Sequence, residues 1–213
     1  MLTFGLLSPG KGIETVVDAL PTVAARYPDF AYLVVGATHP HVRRHDGEAY
    51  RAGLRARAVR LGVADNLIFH DRFVDLDELL GYIAAADLYI MPYHGREQIV
   101  SGTLAYTVGA GKAVISTPYP YAAELLGGGR GILVPFGDSA AIGERVSHLL
   151  DNPAERRALQ ERAYRYGRQM LWPTVARRYT QIFRDVLGEQ ALASCLAIPQ
   201  RPDVDAHEHI AAS

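Results

Sequence analysis

Short apolar runs of strand character alternate with stretches of helical periodicity along most of this chain. No other feature restricts its possible folds as much. Residues 2–7 form a buried-strand run. Over residues 13–27, Ile13, Val16, Val17, Leu20, Val23 and Ala24 recur at helical spacing. Further strands are predicted at 30–35, 66–69, 87–91, 113–116 and 132–134. Helices are predicted between them at 48–61, 76–86, 101–110 and 121–126, with Asp75 as an N-cap and Gly62 as a helix stop. Such alternation implies a parallel sheet covered on both faces, and right-handed crossovers make it an α/β, Rossmann-like doubly wound fold. After Pro135 only helical patterns follow, at 139–150, 153–169 and 173–187, punctuated by Asp151-Asn-Pro153 and Trp172-Pro173. One domain over 1–188 and a poorly ordered tail over 189–213 are expected.

Composition narrows the function. The chain has 213 residues, 49% hydrophobic and 21% charged, which suits one globular domain. A net charge of -1 gives no basis for a nucleic-acid partner. The single cysteine, Cys195, cannot close an internal disulfide, which fits a reducing cytoplasm. No apolar run reaches the ~18 residues of a membrane span, and no signal-peptide pattern opens the chain. The expected location is cytoplasmic, with the membrane periphery as the alternative. Because the sequence starts almost directly on a strand, it reads as a chain cut at a domain boundary. Arg51, Arg55, Arg57 and Arg60 spread around more than one helix face and are expected to be solvated.

Ligands of open parallel sheets bind beyond the carboxyl ends of the strands, so the loops there were searched for chemistry. Ser8-Pro-Gly10-Lys11-Gly12 offers close backbone approach, a point charge and a helix start, a combination suited to a diphosphate; the alternative is a tight turn with a surface lysine. It is not a Walker A loop. His39 and His41 have no carboxylate or cysteine at ligand spacing, so a rim contact or plain exposed loop is expected rather than a metal site. Tyr93-His-Gly-Arg96-Glu97-Gln98-Ile-Val-Ser101-Gly102-Thr103 ends in a helix start able to hold an anion, preceded by polar groups that could hold sugar hydroxyls. Simple N-capping is the alternative. Tyr106, Tyr119 and Tyr121 could stack on a ligand or pack in the core. The glycines of 127–131 are expected to end a short helix and start a strand.

Taken in order, these loops resemble the C-terminal, donor-binding domain of retaining GT-B glycosyltransferases of family 4 (glycosyltransferase group 1). Gly5-Leu-Leu-Ser-Pro-Gly-Lys-Gly-Ile13 is similar to that family's G-R-L-x-x-x-K-G-x opening, and Leu33-Val-Val-Gly36 to its next strand and loop. Asp87-Leu-Tyr-Ile-Met-Pro92, Gly111-Lys-Ala-Val-Ile115, Glu124 and Gly131-Ile-Leu-Val-Pro135 resemble later family motifs. The likeness runs from about residue 2 to about 187. It implies an NDP-sugar donor, an acceptor that is a sugar, a lipid or another molecule, and transfer with retention. It further implies that Gly10, Gly12, Ser101, Gly102, Thr103 and Tyr106 line the phosphate and donor site, with Phe73 and Val74 at the base. Lys11, Gln98 and Glu97 are the catalytic candidates. No cofactor and no metal are expected.

Three positions depart from the family pattern. Leu6 replaces the arginine of G-R-L, and Gln98 and Tyr106 fall where the two glutamates of E-x7-E would stand. Glu97 lies one residue off, about 100° round a helix. The acceptor half of a GT-B enzyme is absent, so an N-terminal domain, in another part of the protein or on a partner chain, would supply it. The rival readings are a binding or scaffold protein that keeps the fold without turnover, and a nicotinamide-linked reductase. The reductase would carry G-x-G-x-x-G after the first strand, where this chain has Ser-Pro-Gly-Lys-Gly.

Overall fold

The computed structural model describes residues 1–188; the expected disordered tail lies outside the described residues. The chain divides into two compact units, Met1–Leu171 and one that begins at Trp172.

The first unit is built on six strands: β1 (Leu2–Phe4), β2 (Tyr32–Val35), β3 (Leu67–His70), β4 (Leu88–Met91), β5 (Ala113–Ser116) and β6 (Ile132–Leu133). They form a single sheet in the order β3-β2-β1-β4-β5-β6, and every pairing is parallel. The connecting helices are α1 (Ile13–Ala24), α2 (Pro40–Asp46), α3 (Ala49–Arg60), α4 (Leu76–Ala85), α5 (Gly102–Gly109) and α6 (Pro120–Leu126). After the sheet come α7 (Ser139–Asp151) and α8 (Pro153–Gly167). In the second unit, α9 (Trp172–Leu187) carries an apolar stripe through Val175, Tyr179, Ile182, Phe183 and Val186.

Burial on both faces follows from the strand period of two. Val34, Leu88, Ile90, Ala113 and Ile115 point into one core with Val16, Val17, Leu20, Val146 and Leu149. Their neighbours Val35, Tyr89, Met91 and Val114 point into the other, with Leu104, Val108, Leu125 and Ala163. Thr3, central in β1, is buried and satisfied: its hydroxyl bonds Tyr32 Oη at 2.8 Å and donates to the Ile90 carbonyl at 2.6 Å.

Two boundaries differ from expectation. β1 stops at Phe4, because Gly5 turns at φ 120° and only Leu7 pairs again, as an isolated bridge to Thr38. α2 replaces the expected exposed loop. Pro40 presets its first turn, and His39 Nδ1 caps it by accepting from the His41 N–H at 3.2 Å.

Candidate functional site

From β1 the chain winds outward through β2 and β3, then returns to place β4 on the other side of β1. The strand order therefore reverses between β1 and β4, and the loops leaving those two strands diverge around a crevice. Residues 5–12 form one wall. The other is the loop from Pro92 to Ser101 and the start of α5.

Two glycines let the walls approach. A side-chain carbon on Gly12 (φ 64°) would stand 2.0 Å from the Pro92 carbonyl oxygen, and one on Gly36 (φ 145°) 2.1 Å from the Gly5 oxygen. Backbone thus packs on backbone across the switch point at Gly12, and between the loops after β1 and β2 at Gly36, and any larger residue would force these loops apart. The His94 N–H also donates to the Gly10 carbonyl at 3.2 Å. His94 Nε2 meets Glu14 Oε1 at 2.8 Å, and Tyr50 donates to Glu14 Oε2 at 2.5 Å. Partial burial opposes ionisation of Glu14. The hydrogen bonds from Tyr50, its own backbone and His94 outweigh it and hold the carboxyl below its usual range.

At the crevice floor a carbon added to Gly5 would lie 3.3 Å from Thr103 Cγ2 and 3.6 Å from Lys11 Nζ, so both side chains border the space over Gly5. Lys11 Nζ donates to the Tyr93 hydroxyl and sits 4.4 Å from the centre of its ring. Burial opposes ionisation of Tyr93, but the Lys11 charge, with hydrogen bonds from Lys11, Thr103 and Ser101, brings its pKa below that of an ordinary phenol.

The two helix starts facing the crevice differ. At α1 the first donors are occupied: Gly12 N–H by Pro9, Ile13 N–H by Tyr50 and Thr15 N–H by Gly12. At α5 the Ser101 hydroxyl, itself buried, accepts from the Leu104 N–H at 3.3 Å and contacts Thr103 Oγ1 at 3.1 Å. Gly102 and Thr103 stand in the first turn, where the helix supplies no acceptor for their N–H groups. Anion capacity therefore concentrates at α5.

Beside the floor runs a slot of about 290 Å³. Gly5, Leu6, Thr103 and Tyr106 line one side; Gly36, Ala37, Arg72, Phe73 and Val74 line the other. Its surface is mainly apolar, and Phe73 is 82% exposed at its mouth. A larger cleft of about 550 Å³ opens among Pro9, Tyr50, Gly53, Arg57 and Arg60. Its central polar groups are engaged internally, Tyr50 by Glu14 and Arg57 by Asp18 at 2.6 Å, so it offers fewer free partners than the switch-point crevice.

The sequence-expected residues thus separate into two sets. Lys11, Thr103, Gly102, Tyr106, Phe73 and Val74 surround the crevice and its slot. Gly10 and Gly12 shape the backbone. Glu97 and Gln98 lie on the loop ahead of α5, where Glu97 is exposed and the Gln98 amide donates to its neighbour Val100 at 2.9 Å. Among the tyrosines, Tyr119 packs: it is fully buried, with its hydroxyl on Met91 Sδ at 2.6 Å. Among the described residues no group of three or more histidine, cysteine or carboxylate side chains is placed to hold a metal.

One expectation is corrected. Arg51 is not solvated but 3% exposed. Its guanidinium pairs with Asp71 and with Glu48 at 3.3 Å, and donates to the Gly36 carbonyl and the Thr38 hydroxyl at 3.1 and 3.2 Å. It braces the loops after β2 and β3 from beneath. Acidic partners at positions 48 and 71 were the only sequence trace of this, and position 71 lies 20 residues from Arg51 in the chain.

An open parallel sheet whose strand order reverses at β1/β4, with a crevice and an apolar slot beside that point, defines a Rossmann-like class of α/β domain. The chain belongs to the glycosyl transferases group 1 family, whose model matches residues 1–152. It is 30% identical over 182 residues to a phosphatidyl-myo-inositol mannosyltransferase of Mycobacterium leprae, covering 84% of this chain and 44% of that one. The chain therefore spans less than half the length of this relative. Its fold matches the C-terminal domain of a glycosyl transferase group 1 protein from Francisella tularensis, with a TM-score of 0.67, 18% identity and coverage of 78% and 81%. It also matches Anabaena Alr3699/HepE, solved with UDP and glucose, with a TM-score of 0.72, 21% identity and coverage of 88% and 47%. These matches establish the GT-B-type, Rossmann-like fold. Among the described residues no helix is long and apolar enough to cross a membrane.

Proposed function

We propose that this chain is the donor-binding half of a hexosyltransferase and holds a nucleoside diphosphate sugar at the β1/β4 switch point. The observation that carries the reading is the convergence of Lys11, Thr103 and Gly5 beside the free first turn of α5. The diphosphate lies there, met by the Lys11 charge and the Gly102 and Thr103 N–H groups. The base enters the slot between Phe73, Val74 and Tyr106. As the glycosyl group departs, negative charge grows on the leaving diphosphate, and the same cation and N–H groups stabilise it without a metal. In this reading the transfer retains the anomeric configuration. The name of the M. leprae relative makes mannosyl the first glycosyl group to test and a lipid the first acceptor, which would place the working protein at a membrane surface. The acceptor side is supplied by an N-terminal domain, in the same protein or on a partner chain.

Calorimetry with GDP, UDP and their sugars tests the reading. Saturable binding of one of them supports it, and a chain that binds none contradicts it. A second reading, a sugar-nucleotide binder without turnover, is favoured by the three departures: Leu6 is apolar, Gln98 bonds its own loop, and Tyr106 offers a phenol where the family has a carboxylate. Tight binding with neither hydrolysis nor transfer, even with the acceptor domain present, would select it.

A further inference from the structure

With Leu6 where the family carries arginine, Lys11 is the cation at the crevice floor, and its direction decides how well a diphosphate is held. A lysine side chain has many rotamers, and ordering it opposes binding. Here the ordering is already provided. Tyr93 is 4% exposed, its ring stacks on Tyr119 at 5.4 Å and 20°, and its carbonyl accepts from the Thr117 hydroxyl at 2.7 Å. The Lys11 amine lies on the hydroxyl side of that rigid ring, 4.4 Å from its centre, and the hydroxyl accepts one ammonium hydrogen. Two further hydrogens on the ammonium are left to point away from Tyr93. Thr103, in the first turn of α5, lies beside Gly5 as the amine does.

We propose that Tyr93 is the positioning residue that aims Lys11 at the donor diphosphate, compensating for the missing arginine at position 6. This rests on the donor-site reading above. In the sequence Tyr93 stands at the start of the polar loop ahead of α5, with no role assigned to it.

Tyr93→Phe keeps the ring and its stack and removes the hydroxyl. Titration of the full chain is expected to show GDP and UDP bound about tenfold more weakly in this variant, the loss of one hydrogen bond to a charged group. Guanosine and uridine, which have no phosphate, should bind as to the wild type. In a Lys11→Met background the same change should add nothing, because the residue acts through Lys11. Unchanged diphosphate affinity in Tyr93→Phe overturns the proposal and leaves the donor site standing. So does an equal loss for the nucleosides, which would mark Tyr93 as a packing residue. A wild-type chain that binds neither diphosphate overturns the donor site and this proposal with it.

A measurement on the unmutated protein guards against a variant that does not fold. The chain has two lysines, Lys11 and Lys112, and Lys112 is tied to the Ala84 and Ala86 carbonyls at 2.7 and 2.9 Å. The Lys11 ε-methylene protons should show nuclear Overhauser contacts to the Tyr93 ring protons and should shift when GDP or UDP is added. A Lys11 side chain without such contacts would overturn the proposal.

Discussion

In the proposed site Lys11 concentrates the binding chemistry in one side chain. Lys11→Met should weaken GDP or UDP binding by about 1.5–3 kcal/mol, read by calorimetry, because it removes a charge-assisted contact to phosphate. Its melting temperature should fall modestly, since the amine's hydrogen bond to the buried Tyr93 hydroxyl is lost as well. Glu14 makes a different prediction. Its folded pKa lies below the unfolded value, so its contribution to stability is present above about pH 4.3 and fades as pH falls through the folded pKa. Denaturation of Glu14→Gln against the wild type should therefore show a deficit at neutral pH that closes in acid. A constant deficit would mean that the Tyr50–Glu14–His94 string does not depend on the charge. At this scale Lys11 was legible because a lysine between glycines after a strand has few structural duties. Arg51 was not legible, since an arginine on a polar helix looks solvated until the fold brings Asp71 beneath it.

Elements were more readable than residues. The helices α1, α4, α5 and α6 and the strands β2 to β6 fell within a few residues of expectation, because apolar spacing and glycine stops are local signals. The short α2 was missed: seven residues rich in histidine and arginine carry no periodic apolar face, and only Pro40 and His39 mark the start. The early end of β1 was hidden too, because residues 5–7 remain apolar while Gly5 turns the backbone. What no local pattern could give was the pairing of the two crevice walls. That depends on β4 settling beside β1, and on Gly12 and Gly36 admitting carbonyl oxygens where a methyl would sit. Gly36→Ala should accordingly destabilise the domain by more than about 3 kcal/mol in chemical denaturation, combining a backbone clash with a positive φ. Ser101→Ala, which removes the α5 cap and the hydroxyl's contacts to Met91 and Thr103, should cost about 1 kcal/mol or more. The Ser101 variant should also bind nucleotide less well if the α5 first turn holds the phosphates.

At the scale of the molecule, the proposed reading makes this chain one half of a two-domain architecture; it spans 44% of the M. leprae relative. On that reading donor binding belongs to this half, whereas transfer needs groups on an acceptor domain. The account thus separates two activities that a complete enzyme would combine. The described chain should bind a sugar nucleotide, and glycosyl transfer should appear only when an acceptor domain is supplied. The most direct test of the central claim is calorimetric titration of the wild-type chain and Lys11→Met with GDP, UDP and their sugars. The account predicts one-to-one binding of at least one of these by the wild type, weakened at least tenfold in Lys11→Met. No binding by the wild type, or binding indifferent to Lys11, would contradict it.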